Sequence, residues 1–287
     1  MKAVLQLLEY AVFRFAVFVI RLMPLDIASF VFGKLWRVFA PFNRRHKRAI
    51  ANLAMAFPEM PEAERQRIAR NMWENLGRVM AESFQIDRLI ADPDRVLCDE
   101  HEAIAALKGH GSLILSMHAG NWEVCVWPVT RAGYKPAGVY QKIKNPHVDK
   151  YIRGLREPLY PGGLFSKSHD TARKLVTWVR QGGQLGVLAD QRDNKGIKIP
   201  FFGHEAPTTP LPAMLAVRLD APILIGRVIR LRGSRFRVEG HLLDVARTGD
   251  KQADIEETTR RIHKTFEDWI REYPDQWMWG HRRWKSR

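Results

Sequence analysis

Apolar and polar positions follow a helical rhythm along the first forty residues. Residues 3–23 are mostly Leu, Val, Phe and Ala, interrupted by Glu9, Arg14 and Arg21 and preceded by Lys2, and the longest apolar run free of charge is residues 15–20. At about 100° per residue, Lys2, Gln6, Glu9, Tyr10, Arg14 and Arg21 fall within an arc of about 140°. A spanning helix would hold Arg14 near the bilayer centre at a cost of about 2.5–3.5 kcal/mol, whereas a helix lying in the interface keeps that face wet. The pattern therefore predicts an interfacial helix rather than a signal peptide, which needs an uninterrupted apolar core and a small-residue cleavage site. After Pro24 the rhythm recurs, with Asp26, Ser29, Gly33, Lys34 and Arg37 on one side and Ile27, Phe30, Val31, Leu35, Val38 and Phe39 opposite. A basic cluster, Arg44-Arg45-His46-Lys47-Arg48, follows, and on an anionic leaflet each such charge contributes about 1 kcal/mol.

Further along, Pro61 and the acids after it start a helix running to about residue 85. Strand and helix signals then alternate. The apolar runs 112–117 and 186–189, introduced by glycines, read as buried strands, and 137–140 as a third. Residues 122–132, 146–157, 169–180 and 252–272 read as helices, and 223–231 with 236–243 as an antiparallel pair near a sheet edge. The expectation is an α/β fold, with a central mixed, mostly parallel sheet flanked by helices. Residues 1–43 form a membrane-associating amphipathic segment and 44–287 the α/β domain.

Composition then narrows the function classes. The 287 residues carry 46 Lys+Arg against 31 Asp+Glu, a formal net charge of +15, which calls for an anionic partner: membrane, acidic protein, phosphorylated substrate or nucleic acid. Nine Trp favour a membrane surface. Two cysteines, Cys98 and Cys125, build neither a disulfide framework nor a zinc site. The serine-hydrolase elbow, the phosphate loop and the dinucleotide fingerprint are all missing.

One stretch carries chemistry: Ser116-Met117-His118-Ala119-Gly120-Asn121-Trp122-Glu123. His118 falls at the C-terminal end of a buried strand, where ligand sites of open α/β sheets collect. On a continuous helix, a spacing of five would keep His118 and Glu123 apart. In a turn permitted by Gly120, however, Glu123 can reach back to the imidazole and hold a general base in its working tautomer. With no serine or cysteine nucleophile beside the pair, the nucleophile is a hydroxyl of the substrate.

This octet resembles the signature of the glycerolipid acyltransferase superfamily, His-x-x-x-x-(Asp/Glu), and His-Ala-Gly-Asn-Trp-Glu in particular resembles the lipid A secondary acyltransferases. Three other stretches agree in order: Asn52-Leu53-Ala54-Met55-Ala56-Phe57-Pro58, Ala189-Asp190-Gln191, and Gln276-Trp277-Met278-Trp279-Gly280-His281-Arg282-Arg283-Trp284-Lys285. The resemblance implies transfer of a fatty acyl chain from acyl carrier protein, or coenzyme A, to a hydroxyl of a lipid A precursor at the cytoplasmic face of the inner membrane. It implies no metal, no organic cofactor and no covalent acyl-enzyme. His118 would be the base and Glu123 its holder. The oxyanion would meet backbone amides after His118 and a cation, for which Lys167 and Arg173 are candidates. Asn121, Asp190, Gln191, Arg282 and Arg283 complete the candidate substrate-binding set, the last two suiting phosphates or an acidic carrier. Two alternatives stay open. The acceptor could be a lysophospholipid, glycerol phosphate or another glycolipid, or the chain could be a non-catalytic basic protein that binds membrane or nucleic acid.

Overall fold

A computed structural model describes residues 2–166 and 170–284. Two helices come first, α1 (Lys2–Leu22) and α2 (Leu25–Phe39), parted at Pro24. A short 3₁₀ turn leads into α3 (Arg44–Ala56), whose N-terminus is capped by Asn43 accepting from the Arg45 amide at 2.9 Å. Two more helices, α4 (Glu62–Ser83) and α5 (Ile86–Ala91), complete the helical part. The remainder alternates: β1 (Val96–Cys98), α6 (His101–Ala105), β2 (Ser112–Ser116), α7 (Trp127–Arg131), β3 (Ala137–Tyr140), α8 (Pro146–Arg156), β4 (Gly163–Ser166), α9 (Thr171–Arg180), β5 (Gln184–Leu188), β6 (Arg192–Phe201), β7 (His204–Thr208), α10 (Leu211–Leu219), β8 (Ile223–Arg230), β9 (Phe236–Leu243) and α11 (Lys251–Glu272).

Seven strands form one sheet in the order β1-β9-β8-β2-β5-β3-β4. Every neighbouring pair is parallel except β8 with β9, so the mixed, mostly parallel sheet read from the sequence is the one observed. The central strand β2 is buried at all five positions, which is why it reads as an unbroken apolar run. Differences from the expectation have local causes. The helix expected over 122–132 is split into a 3₁₀ turn at Trp122–Val124 and α7, because Pro128 in the first turn of α7 lacks the N–H an uninterrupted helix would use there. The antiparallel β8/β9 pair lies near the sheet edge as expected, with the three-residue β1 added outside β9. The β6/β7 hairpin gave no apolar signal, because its turn is Phe202-Gly203, both at positive φ, between polar strands.

The N-terminal helices face outward in an inverted sense. Their polar stripes dock on the domain: Asn145 donates to the Gln6 carbonyl (2.8 Å) and to Glu9 (3.0 Å), Arg14 lies over the Tyr151 ring, and Arg21 pairs with Asp87 at 2.7 Å. Along α2, Ser29 donates to Glu82 at 2.7 Å and Lys34 pairs with Glu74. Close approach of α2 to α4 requires Gly77, where a Cβ would lie 2.4 Å from the Phe32 carbonyl oxygen. The apolar stripes, with Phe15, Phe18, Leu22, Ile27, Phe30, Val38, Phe39 and Phe42, are exposed. By length and composition, residues Ala3–Leu22 are also sufficient to cross a bilayer.

Candidate active site

Strand register builds the site. β2 and β5 are paired from Ser112 with Gln184 to Ser116 with Leu188, and the Ala189 amide still donates to the Ser116 carbonyl at 2.9 Å. Two residues beyond that last pair, His118 and Asp190 leave adjacent strands side by side. His118 Nδ1 lies 2.7 Å from Asp190 Oδ1, while Asp190 Oδ2 accepts from the His118 amide (2.9 Å) and from Trp277 Nε1 (2.8 Å). Asp190 is fully buried. Burial alone would raise its carboxyl, but the charge and hydrogen bonds of His118, with a smaller contribution from His281, outweigh it and hold the group well below the usual carboxylate range. An ionised Asp190 accepts Nδ1–H, leaving the lone pair on Nε2. Gln191 Nε2 sits 3.1 Å from that nitrogen and suits a donor to it.

Glu123 stands elsewhere. Its carboxylate takes Arg156 bidentately, at 2.8 Å to Nε and 2.5 Å to Nη2, and its charge raises the Arg156 guanidinium above the usual arginine range. The expected reach of Glu123 back to His118 is therefore replaced by two separate pairs. The reason is the intervening turn. Gly120 adopts φ +58°, with a hypothetical Cβ only 2.0 Å from the Val228 carbonyl oxygen, and Asn121 caps the 3₁₀ turn, so Glu123 points toward α8. Asn121, expected to meet substrate, is fully buried and donates to Glu82 at 2.9 Å while accepting from the Glu123 amide. It is an anchor of the turn. The amides of His118, Ala119 and Gly120 donate to Asp190, Met117 and Gln276, so of the amides around the expected oxyanion site these three are taken up within the fold.

The other candidates divide. Asp190 is too deeply buried to touch substrate, whereas Gln191 is exposed beside His118. Arg283, expected at a phosphate, is wholly buried and holds β7 by donating to the Pro207 carbonyl (3.0 Å) and Thr208 hydroxyl (2.7 Å); burial lowers its pKa to about 10. Arg282 is exposed. Arg173 is exposed on α9, outside the cavity lining, and Lys167 lies outside the described residues.

His118 opens onto a cavity of about 840 Å³, within the range of ligand pockets. Its wall holds Ser116 and Leu188, paired across β2 and β5, with Tyr140 of β3, and, one step deeper, the register row Ile114–Gly186–Gly138–Leu164. The Tyr160 ring fills the space above the two glycines, 2.8 and 3.0 Å from where their Cβ atoms would be. Arg192 lines the cavity next to Gln191, and its buried Nε has no partner among the described residues. Sequence reasoning gave no role to Arg156 and Tyr160, which lie outside the quoted motifs, nor to Trp277 within the C-terminal block and Arg192 directly after Ala189-Asp190-Gln191.

Two histidines with buried ring nitrogens, His281 and His263, set an acid limit. Burial pushes His281, edge-on to His118 with ring centroids 6.3 Å apart, down to about 4, and His263 down to about 3. The folded chain keeps both neutral, while the unfolded chain takes up protons below the ordinary value of 6.5. Stability is thus full above that value and falls as pH drops through it, by about 2 kcal/mol per histidine from about pH 7 to about pH 5. Asp190 contributes in the other range, losing its stabilisation only at pH values below its unfolded pKa. Urea unfolding at the two pH values checks this, and His281→Asn should remove about half of the difference.

Residues 2–286 match the profile of the bacterial lipid A biosynthesis acyltransferase family. The chain is 25% identical over 268 residues to the lipid A biosynthesis lauroyltransferase of Escherichia coli (strain K12), covering 89% of this chain and 83% of that protein. It is also 25% identical over 247 residues to the lipid A biosynthesis myristoyltransferase of the same organism, covering 81% and 73%. A solved structure, the 1-acyl-sn-glycerophosphate acyltransferase PlsC from Thermotoga maritima, aligns with a TM-score of 0.40 at 15% identity, covering 88% of this chain and 96% of that one.

Proposed function

The chain belongs to the bacterial lipid A biosynthesis acyltransferase family and is an acyl-transferring enzyme, and from that premise we propose direct transfer of a fatty acyl chain from a carrier thioester to a hydroxyl of a lipid A precursor. One observation carries the reading: His118 is locked at Nδ1 by a buried carboxylate while Nε2 faces an acyl-sized cavity. His118 takes the proton of the acceptor hydroxyl, the oxygen attacks the thioester carbonyl, the C–S bond breaks, and the proton returns to the departing thiol. Asp190 stabilises the imidazolium in between. Arg192 supplies charge to the oxyanion, and removing such a donor costs about 10²–10³ in rate, so Arg192→Ala should lower kcat by that factor with a smaller change in KM.

Direct transfer fits the lining, because burial pushes the Cys125 thiol up to about 11 and makes it a poor nucleophile. Tyr160 and the two facing glycines suit an acyl chain lying on the sheet. The exposed cations Lys142, Lys144, Lys150 and Arg153 stand around the cavity-lining residues Gln141, Ile143 and Ile152 and suit an acidic carrier protein as donor. The outward apolar stripes of α1 and α2 suit attachment to the inner leaflet surface, with α1 held flat by Asn145, Tyr151 and Asp87. Detergent-purified protein, given an acyl carrier protein thioester and a hydroxyacylated lipid A precursor, should release thiol and add the mass of one acyl chain. Acylation of a lysophospholipid or glycerol phosphate instead would overturn the acceptor assignment, and no thioester consumption with any acceptor would overturn the mechanism.

A further inference from the structure

Four arginines from opposite ends of the chain meet beside the site. Arg48 on α3 donates to the Gly280 carbonyl at 3.1 Å, and Arg45 packs its Cβ 3.8 Å from the position a Gly280 Cβ would take. Asn52 ties the same helix to the carbonyls of Trp279 and His281, at 2.8 and 3.0 Å. Arg282 follows directly, and Arg44 opens α3. Burial, and then the charges of Arg282, Arg45 and Arg44, hold the Arg48 guanidinium below the ordinary arginine range, so the four groups feel one another. Among the described residues, none of the four has a carboxylate within ion-pair distance, whereas half of the other arginines do. Such uncompensated like charge is retained against its own repulsion where an anion is to be bound.

Position says which anion. The cluster begins directly after the exposed Phe39 and Phe42 of the outward apolar surface, which sets it at headgroup level when that surface is in lipid. On its other side, Arg282 adjoins His281, whose ring lies 6.3 Å from that of His118. A glycolipid with its acyl chains in the leaflet and a reacting hydroxyl at His118 would bring a phosphate ester on its sugar to this place. We propose that Arg44, Arg45, Arg48 and Arg282 form a phosphate-binding site that holds the phosphate ester of the glycolipid acceptor and so aligns its hydroxyl with His118. This deepens the acceptor assignment above and rests on it.

The test uses the double variant Arg45→Gln/Arg282→Gln, since both side chains are exposed and carry no ion pair of the fold. The probes are the lipid A precursor with its phosphates and the same glycolipid with them removed, each in neutral detergent micelles. Wild type should bind the phosphorylated precursor at least about tenfold more tightly and show the same ratio in KM, as charge-assisted hydrogen bonds to phosphate allow, and the variant should bring the ratio close to one. Equal wild-type affinities for the two precursors overturn the site, as does a variant that weakens both equally. If the variant instead loses binding to phosphatidylglycerol vesicles and keeps the micellar ratio, the cluster is a membrane contact and the site falls. Should wild type acylate neither precursor, the acceptor assignment fails by itself, and micellar binding without donor still decides the site: a phosphate preference lost in the variant upholds it, and none in wild type overturns it.

Discussion

Asp190→Asn is expected to cut kcat for acyl transfer about 10³- to 10⁴-fold, as deeply as His118→Ala, with the fold intact. The reason lies in how the carboxylate is used. Oδ2 accepts from two donors, the His118 amide and Trp277 Nε1, and Oδ1 faces the imidazole. An Asn amide can keep only one oxygen. Those two donors claim it, so its NH₂ group faces Nδ1, which must then accept. The ring proton moves to Nε2, and the lone pair that would take the acceptor's proton is gone. Glu123→Gln makes the contrasting case. Its carboxylate is bonded to Arg156, away from His118, and an amide oxygen still accepts one of those two hydrogen bonds. A loss of about tenfold or less is expected there, from a loosened wall of the cavity. Steady-state rates at saturating donor, with far-UV circular dichroism as a check on folding, separate the two. If Asp190→Asn keeps most of the wild-type rate while Glu123→Gln loses three orders of magnitude, Glu123 holds the base and the assignment of Asp190 is wrong.

That contrast shows what was legible in the sequence. The fully buried strand β2 and the mostly buried β3 and β5 stood out because both faces of each demand apolar residues, and the amphipathic stripes of α1 and α2 are legible on a helical wheel. His118 was identifiable by its place at the end of β2. Its partner was not, because the bond to Asp190 depends on the pairing register of two strands separated by 72 residues in sequence. Local reasoning supplied the nearest carboxylate, Glu123, and overlooked that a left-handed Gly120 followed by a capping Asn121 turns the chain away. Arg283 misled for a related cause. A basic tail suggests solvent, yet this guanidinium is buried against Phe201 and serves the backbone of β7. The edge strands β1 and β4 left no signal, since β1 has only three residues and β4 is an edge strand with no fully buried position, unlike the equally short but buried β3.

The second large effect is on stability, and its expected site is Glu82. This fully buried carboxylate pairs with Arg230 at 2.5 and 2.9 Å and accepts from Ser29 on α2 and from Asn121 in the turn after His118. Arg230 in turn donates to Asn75, which donates to the Gly120 carbonyl at 2.9 Å. One acid thus joins an outward-facing helix, the central helix α4, strand β8 and the turn that carries His118. Breaking a buried pair leaves an uncompensated charge, at a cost of about 3–5 kcal/mol. Glu82→Ala should lose that much in urea unfolding, and a loss below about 1 kcal/mol would mean that Arg230 finds water. Replacing both partners apolarly, Glu82→Leu with Arg230→Met, separates fold from function. Buried pairs exchanged for packed side chains often regain stability, so the double variant should recover part of the Glu82→Ala loss, the rest being held back by Ser29, Asn121 and Asn75, each left with a lost buried partner. Asn121 and Asn75 nevertheless lose the groups that fix the turn, so His118 should be held less well and kcat should stay about tenfold or more below wild type. Recovery of wild-type kcat in the double variant would show that the network only stabilises the fold, and that β2 and Asp190 alone position the base.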